Sequence, residues 1–255
     1  MMCRRADPVR PGLLVAVAVV VLALGGAARA DEAYYLLLFG AQQIPNKPDY
    51  SHSFATFVRA VWSDRCPPRL EAHTVSWLPR NLQVRAFALA AEEGFNFDLE
   101  QTLRWASASE ARVSLWGPYQ IQRELYLKAV ARIRVLEGGG VRYKAVDVGY
   151  PPDRVSNCIH AVSSVVDGHP LHITPLSWGE TASFRLLEQF TPWIIEPHRA
   201  PGGSHPWVGR ALGLDAYPIL YRQPEEHPRS GVFRAPLSRL LGGEPEVQPS
   251  YGPPW

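Results

Sequence analysis

The sequence has few of the residues that specialised folds and cofactor sites require. Its 255 residues include three Cys and two Met, and 26 basic against 24 acidic residues leave a formal charge of +2. Three thiols are too few for a four-thiolate zinc site or a disulfide-rich scaffold. A charge so close to zero gives no electrostatic reason to expect a nucleic-acid partner.

Two enzyme motifs and a long apolar segment are also missing. The chain has neither the phosphate-binding loop G-x-x-x-x-G-K-[ST] nor the serine elbow G-x-S-x-G. The unbroken apolar run Leu13–Leu24 spans 24 − 13 + 1 = 12 residues, whereas a helix that crosses a bilayer needs about 20. What the chain does have is 46% hydrophobic and 11% aromatic residues, enough to build a core.

The N-terminus predicts export. Three arginines within the first ten residues precede the run Leu13–Leu24, and Ala28 and Ala30 then stand just before Asp31. A positive head, a short apolar run and small residues at the −3 and −1 positions are typical of a secretory signal peptide. We therefore predict a signal peptide over residues 1–30, a periplasmic or extracellular location, and no membrane span after cleavage. An uncleaved signal anchor is the alternative.

The remaining pattern predicts an α+β fold. We expect an antiparallel sheet of about four to six strands with helices packed on one face, because short apolar strands joined by brief loops favour a meander. The core should cover residues 31–196, and a Pro/Gly-rich extension should cover residues 197–255. The expected strands are Tyr34–Gln43, Ser51–Trp62, Leu70–Leu78, Leu82–Leu89 and Val141–Val148, and the expected helices span 98–108, 119–137, 157–166 and 180–190.

Cys158 is the first candidate catalytic residue. Asn157 is a favourable N-cap residue, so Cys158 should lie in the first turn of a helix. Backbone N–H groups and the helix dipole favour an anionic sulfur there. His160 should not be its partner. Residues two positions apart in a helix are separated by a rotation of about 200°, so the two side chains point in nearly opposite directions.

His52 and His73 are the candidate bases. His52 ends the apolar face of one predicted strand, and His73 lies on the next. A symmetric hairpin with its turn at Cys66 pairs residues whose numbers sum to about 132, and it directs the two histidines to opposite faces. A triad that includes both needs an asymmetric loop or a bulge.

The order of these motifs resembles the circularly permuted papain-like enzymes, which include the lecithin:retinol acyltransferase-like proteins and the permuted NlpC-type peptidases. The resembling segments are Ser51-His52-Ser53-Phe54, Ala72-His73-Thr74 and Ser156-Asn157-Cys158. The resemblance implies a cysteine hydrolase or acyltransferase with Cys158 as nucleophile, His52 as base and His73 as the orienting group. It further implies an amide, peptide or ester substrate, such as a peptide or acyl group of the cell envelope.

Other roles for these residues stay open at this point. A disulfide between Cys66 and Cys158 would make the chain a non-catalytic, stapled binding or structural protein, and an inert buried thiol is a third reading. His169 and His172 are three residues apart, but Pro170 interrupts a helix there. Without a third ligand we predict neither a metal site nor a cofactor.

Overall fold

The computed structural model describes residues 31–63, 66–166, 170–195 and 205–223. The predicted signal peptide, residues 1–30, lies outside the described residues, as do residues 224–255. The helices and strands below are numbered in chain order.

Five strands form the main sheet, in the spatial order β3-β2-β1-β6-β9. All neighbours are antiparallel except β6 and β9, which run parallel. This arrangement confirms the predicted α+β class and the antiparallel character of the sheet. The strands are β1 (Glu32–Gln42), β2 (His52–Ser63), β3 (Cys66–Val75), β6 (Arg112–Ile121) and β9 (Ile219–Arg222).

A second, smaller sheet follows where the chain passes the end of β3. Its order is β4-β5-β7-β8, and its strands are β4 (Trp77–Pro79), β5 (Glu92–Asn96), β7 (Arg142–Tyr143) and β8 (Val155–Ser156). The strand predicted over Leu82–Leu89 is absent, because Leu82 has a φ of 60° and the segment is a series of turns. The strand predicted over Val141–Val148 shrinks to the two residues of β7.

Three of the four predicted helices begin within one residue of the predicted start. Asp98 accepts a hydrogen bond from the Gln101 N–H at 2.7 Å and begins the predicted first helix. The helix predicted from Tyr119 begins later, since Tyr119 still pairs with Leu36 of β1. The helices are α1 (Leu99–Ala108), α2 (Arg123–Glu137), α3 (Cys158–Ser163), α4 (Glu180–Phe190) and α5 (Pro206–Ala211).

Helices cover both faces of the main sheet, whereas one face was expected. The His52 ring meets Trp105 of α1 at 5.6 Å between centroids, and Phe57 meets Phe190 of α4 at 6.1 Å. His52 and Phe57 differ by five positions on one strand, so their side chains leave opposite faces. Within the described residues, no helix is long and apolar enough to cross a membrane.

The core continues beyond the expected boundary at residue 196. Trp207 of α5 packs edge-on against Tyr35 at 5.6 Å, and β9 pairs with β6 from Val113 to Trp116. Residues 205–223 therefore belong to the folded unit. The sequence analysis missed these elements. The six-residue α5 and the four-residue β9 are too short to show a clear hydrophobic periodicity among the prolines and glycines.

A buried carboxylate joins α4 to the main sheet. Glu180 is fully buried, and its two oxygens accept hydrogen bonds from Arg112 at 2.7 and 2.6 Å. The Ser114 hydroxyl donates to it at 2.6 Å, and Arg222 lies at 3.4 Å. A buried charge with this many donors is stable only while the donors remain.

We predict that Glu180→Gln lowers the free energy of unfolding by about 3 kcal/mol, because it leaves two arginines facing a neutral amide. The matched control is Glu188→Gln in the same helix, whose ion pair with Arg185 is half-exposed and should contribute at most about 1 kcal/mol. Urea unfolding measures both variants. Equal losses in the two variants would contradict the account of Glu180.

Candidate active site

The start of α3 is fixed by a buried carboxylate. The Asn157 side chain accepts a hydrogen bond from the His160 N–H at 2.8 Å, which caps the helix as predicted. Asp147 holds Asn157 in turn, accepting from its backbone N–H at 2.8 Å and from its amide at 2.9 Å. Cys158, the first helical residue, is therefore held in a defined position.

His160 belongs to this cap. Its Nδ1 lies 2.7 Å from Asp147 Oδ2, and its ring packs edge-on against His172 at 4.8 Å. The His160 imidazole therefore interacts with Asp147. This agrees with the prediction that His160 is not the partner of Cys158. A helix start with three groups on one carboxylate keeps its geometry even in a six-residue helix.

The Cys158 side chain is a buried thiol that faces backbone N–H groups. Only 8% of the residue is exposed. Burial raises the pKa of the thiol to about 11, and the charge of Asp147 acts in the same direction. The backbone N–H groups of Ser53, Ile159 and Cys158 itself lower the pKa, but burial outweighs them. Burial therefore acts against the anionic sulfur that the helix start was expected to favour.

His52 directly precedes the Ser53 N–H that contacts this sulfur. The imidazole is fully buried, and burial lowers its pKa to about 3. Its Nε2 lies 2.9 Å from the Ser76 hydroxyl, while its Nδ1 has no hydrogen-bond partner within the described parts of the chain. We assign the tautomer in which Nε2–H donates to Ser76, because Nδ1 then keeps a free lone pair and no buried N–H is left unpaired.

Ser76 is a site residue that the sequence analysis missed. It lies between β3 and β4, where its N–H donates to the Asn96 side chain at 2.9 Å and the Thr102 hydroxyl donates to its Oγ at 2.7 Å. These contacts fix the hydroxyl against the His52 ring. No motif marks a lone serine at a strand end, so the sequence offered no signal for it.

Tyr143 is a second residue that the sequence did not single out. It is buried, and burial raises the pKa of its hydroxyl well above the ordinary value. A negative charge at Cys158 would raise this pKa further. The phenol therefore stays protonated and is able to donate a hydrogen bond.

His73 does not join this site. It pairs with Phe57 across β2 and β3, so its side chain leaves the face opposite to that of His52. It contacts Glu71 at 3.1 Å and is partly exposed. The predicted grouping of the two histidines is wrong. The residue numbers of each observed β2–β3 pair add up to an even number, as in 57 + 73 = 130, and this is also true of the symmetric hairpin. Because 52 + 73 is odd, the two side chains lie on opposite faces of the sheet.

The disulfide between Cys66 and Cys158, one of the readings that the sequence left open, is also wrong. Cys158 is a free thiol. Cys66 pairs with Ser63 at one end of β2, whereas Cys158 meets Ser53 at the other. Ten residues of strand separate these positions by about 33 Å, whereas the Cα atoms of a disulfide lie within about 7 Å.

The structure has a cavity of about 570 Å³ that none of the candidate catalytic side chains lines. Asp49 and the segment Arg85–Ala90 line it. The charge of Asp49 also raises the pKa of Tyr143, so the cavity and the Tyr143 hydroxyl are within electrostatic reach of each other. Among the described residues, no group of three or more His, Cys, Asp or Glu side chains could hold a metal ion.

We predict that acid destabilises the protein partly through His52. The unfolded imidazole takes up a proton near pH 6.5, whereas the folded one stays neutral until about pH 3. Between these values the unfolded state binds more protons, so the free energy of unfolding falls as the pH falls. In His52→Gln this slope should decrease by about one proton between roughly pH 5.5 and 4, measured by urea unfolding. Parallel slopes would show that His52 titrates normally in the folded protein.

Comparison with known proteins gives no match: no protein-family model, no curated protein and no solved structure matches this chain. The resemblance to permuted papain-like enzymes therefore stays a prediction, and the function has to be argued from the geometry of the site.

Proposed function

We propose that this protein is a cysteine hydrolase or acyltransferase that cleaves an amide, peptide or ester bond, with Cys158 as nucleophile and His52 as base. The observation that supports the proposal best is the contact of the Cys158 sulfur with the N–H of Ser53. Ser53 follows His52 in β2, so His52 is the histidine that the proposal pairs with Cys158. Its Nδ1 has no hydrogen-bond partner among the described residues, the Cys158 sulfur included, so proton transfer requires the two groups to approach each other.

The proposed reaction starts from a neutral thiol and a neutral imidazole. As the sulfur attacks the substrate carbonyl carbon, His52 Nδ1 takes the thiol proton, and a C–S bond forms. The tetrahedral intermediate collapses to a thioester while the leaving amine or alcohol takes the proton from His52. Water, or an acceptor alcohol or amine, then attacks the thioester carbonyl and gives a proton to His52. The C–S bond breaks, the acid, ester or amide product leaves, and His52 returns the proton to the Cys158 sulfur.

Three side chains have distinct parts in this scheme. Ser76 holds the imidazole through Nε2 and stabilises the imidazolium that forms. Tyr143 is the side-chain donor that we assign to the developing oxyanion, since its hydroxyl stays protonated and a negative charge developing at Cys158 would act on it. Asp147 is a positioning residue, because it acts on Cys158 through Asn157.

The cavity beside Asp49 and Arg85–Ala90 is the proposed entry for the substrate. Asp49 lines it, and the charge of Asp49 raises the pKa of Tyr143. If residues 1–30 act as a signal peptide, as their pattern predicts, the substrate is a peptide or acyl compound of the cell envelope or the surrounding medium.

We predict graded losses of activity in a panel of ester and amide substrates. Cys158→Ala and His52→Ala should each reduce kcat/KM by at least about 1000-fold, because they remove the nucleophile and the base. Ser76→Ala should reduce kcat by about tenfold to 100-fold with little change in KM, because it frees the imidazole to rotate. His73→Ala is the control and should retain activity. Full activity in Cys158→Ala would disprove the assignment.

We also predict slow alkylation of the resting thiol. At pH 7 a thiol whose pKa is about 11 is only about one ten-thousandth thiolate. Iodoacetamide should therefore modify Cys158 far more slowly than it modifies a free cysteine peptide, and the rate should rise about tenfold per pH unit up to pH 10. Peptide mapping follows Cys158 separately from the other cysteines. Rapid, pH-independent alkylation would indicate a resting thiolate–imidazolium pair instead.

A further inference from the structure

Exposed apolar side chains gather at one end of the molecule. Seven of the ten large hydrophobic side chains that are exposed within the described residues lie in the connections at the end of the main sheet where β2 begins. We call these seven the apolar rim. Its members are Ile44, Tyr50, Phe87, Leu89, Val148, Tyr150 and Leu176.

Hydrogen bonds tie the connections that carry the rim to one another. Asp49 accepts from the Ala86 N–H at 3.0 Å, which joins the β1–β2 connection to the β4–β5 connection. Lys144 donates to the Leu89 carbonyl at 3.0 Å, which adds the segment after β7. Asn46 donates to the Trp178 carbonyl at 3.0 Å, which adds the segment before α4. These hydrogen bonds therefore join the four connections that carry the rim.

The two foremost side chains project into solvent. Phe87 is 81% exposed and Leu89 is 95% exposed. Neither takes part in the fold, and a large apolar side chain left in water on a soluble surface marks an interaction site when several occur together. Projecting tips insert into a soft apolar phase, whereas protein partners favour packed pockets around buried anchors.

Basic side chains stand among the rim residues. Lys47 is exposed between Ile44 and Tyr50, and Arg142 and Lys144 bond only to backbone carbonyls of the β4–β5 connection. In the described part of the chain, none of the three pairs with a carboxylate. Unpaired cations beside apolar tips are complementary to a layer of phosphate headgroups over hydrocarbon.

We propose that the apolar rim docks this protein onto the surface of an anionic lipid bilayer. Phe87 and Leu89 insert below the headgroups, and Lys47, Arg142 and Lys144 contact lipid phosphates. The inference stands on surface residues alone and does not require Cys158 to be a nucleophile. Peripheral docking at a membrane surface needs no spanning helix.

Sedimentation with vesicles tests the proposal on the full chain. One set of vesicles contains phosphatidylcholine alone, and the other contains phosphatidylcholine and phosphatidylglycerol at about three to one. We expect the protein to bind the anionic vesicles more tightly, and we expect this preference to fall as salt is added. A wild-type protein that stays in the supernatant with both kinds of vesicle would overturn the proposal.

Paired variants separate the rim from general stickiness. Phe87→Ser with Leu89→Ser should weaken vesicle binding at least tenfold, because burying either side chain contributes more than a tenfold factor. Leu127→Ser with Val135→Ser, which removes two exposed apolar residues of α2, should bind like wild type. Unchanged melting temperatures in both double variants show that the fold is retained. Equal binding by the two double variants would exclude the rim.

Two further outcomes have fixed meanings. Light scattering tests whether the rim binds a second copy of the chain. If the wild-type protein is a dimer that binds no vesicles, and the Phe87→Ser and Leu89→Ser double variant is a monomer, the rim is a dimer interface and the proposal of bilayer docking is overturned. Cys158→Ala should bind vesicles like wild type. The docking surface and the proposed catalytic function can therefore fail independently.

Discussion

The cap at the start of α3 is the constraint on which the rest of the site depends. Asp147 receives the Asn157 N–H, the Asn157 amide and the His160 ring, so a six-residue helix has a rigid beginning. That beginning directs Cys158 at the edge of β2, where the Ser53 N–H meets the sulfur. His52 directly precedes Ser53 in that strand. The local cap and this strand edge are therefore the two features on which the proposed pairing of Cys158 with His52 rests.

Burial sets the protonation state of this pair. Exclusion of water strengthens the effect of the backbone N–H groups on the sulfur. It also raises the pKa of the Cys158 thiol and lowers the pKa of His52. The chemistry that we propose for such a pair is general-base catalysis, in which the proton moves only as the sulfur attacks. Ser76 and Tyr143 fit the same scheme, since one orients the imidazole and the other is a protonated phenol near the developing charge.

The sequence predicted what local residues determine and missed what the tertiary arrangement determines. Asp98 and Asn157 predict the starts of their helices, because a capping residue contacts backbone groups within one helical turn. The opposite faces of His52 and His73 follow from strand parity alone. Ser76 and Tyr143 could not be found, because their roles come from the divergence of β4 from β3 and from the two-residue β7. Likewise β9 joins the sheet through pairing with β6, a contact about 100 residues distant in the chain.

The most direct test of the central claim is the mass of the intact protein after brief mixing with an activated ester such as p-nitrophenyl acetate, followed by peptide mapping. The account predicts one acetyl group on Cys158 in the wild-type protein, and at least a 100-fold slower acylation in His52→Ala. Acylation of Cys158 at the same rate in both proteins, or of any residue other than Cys158, would contradict it.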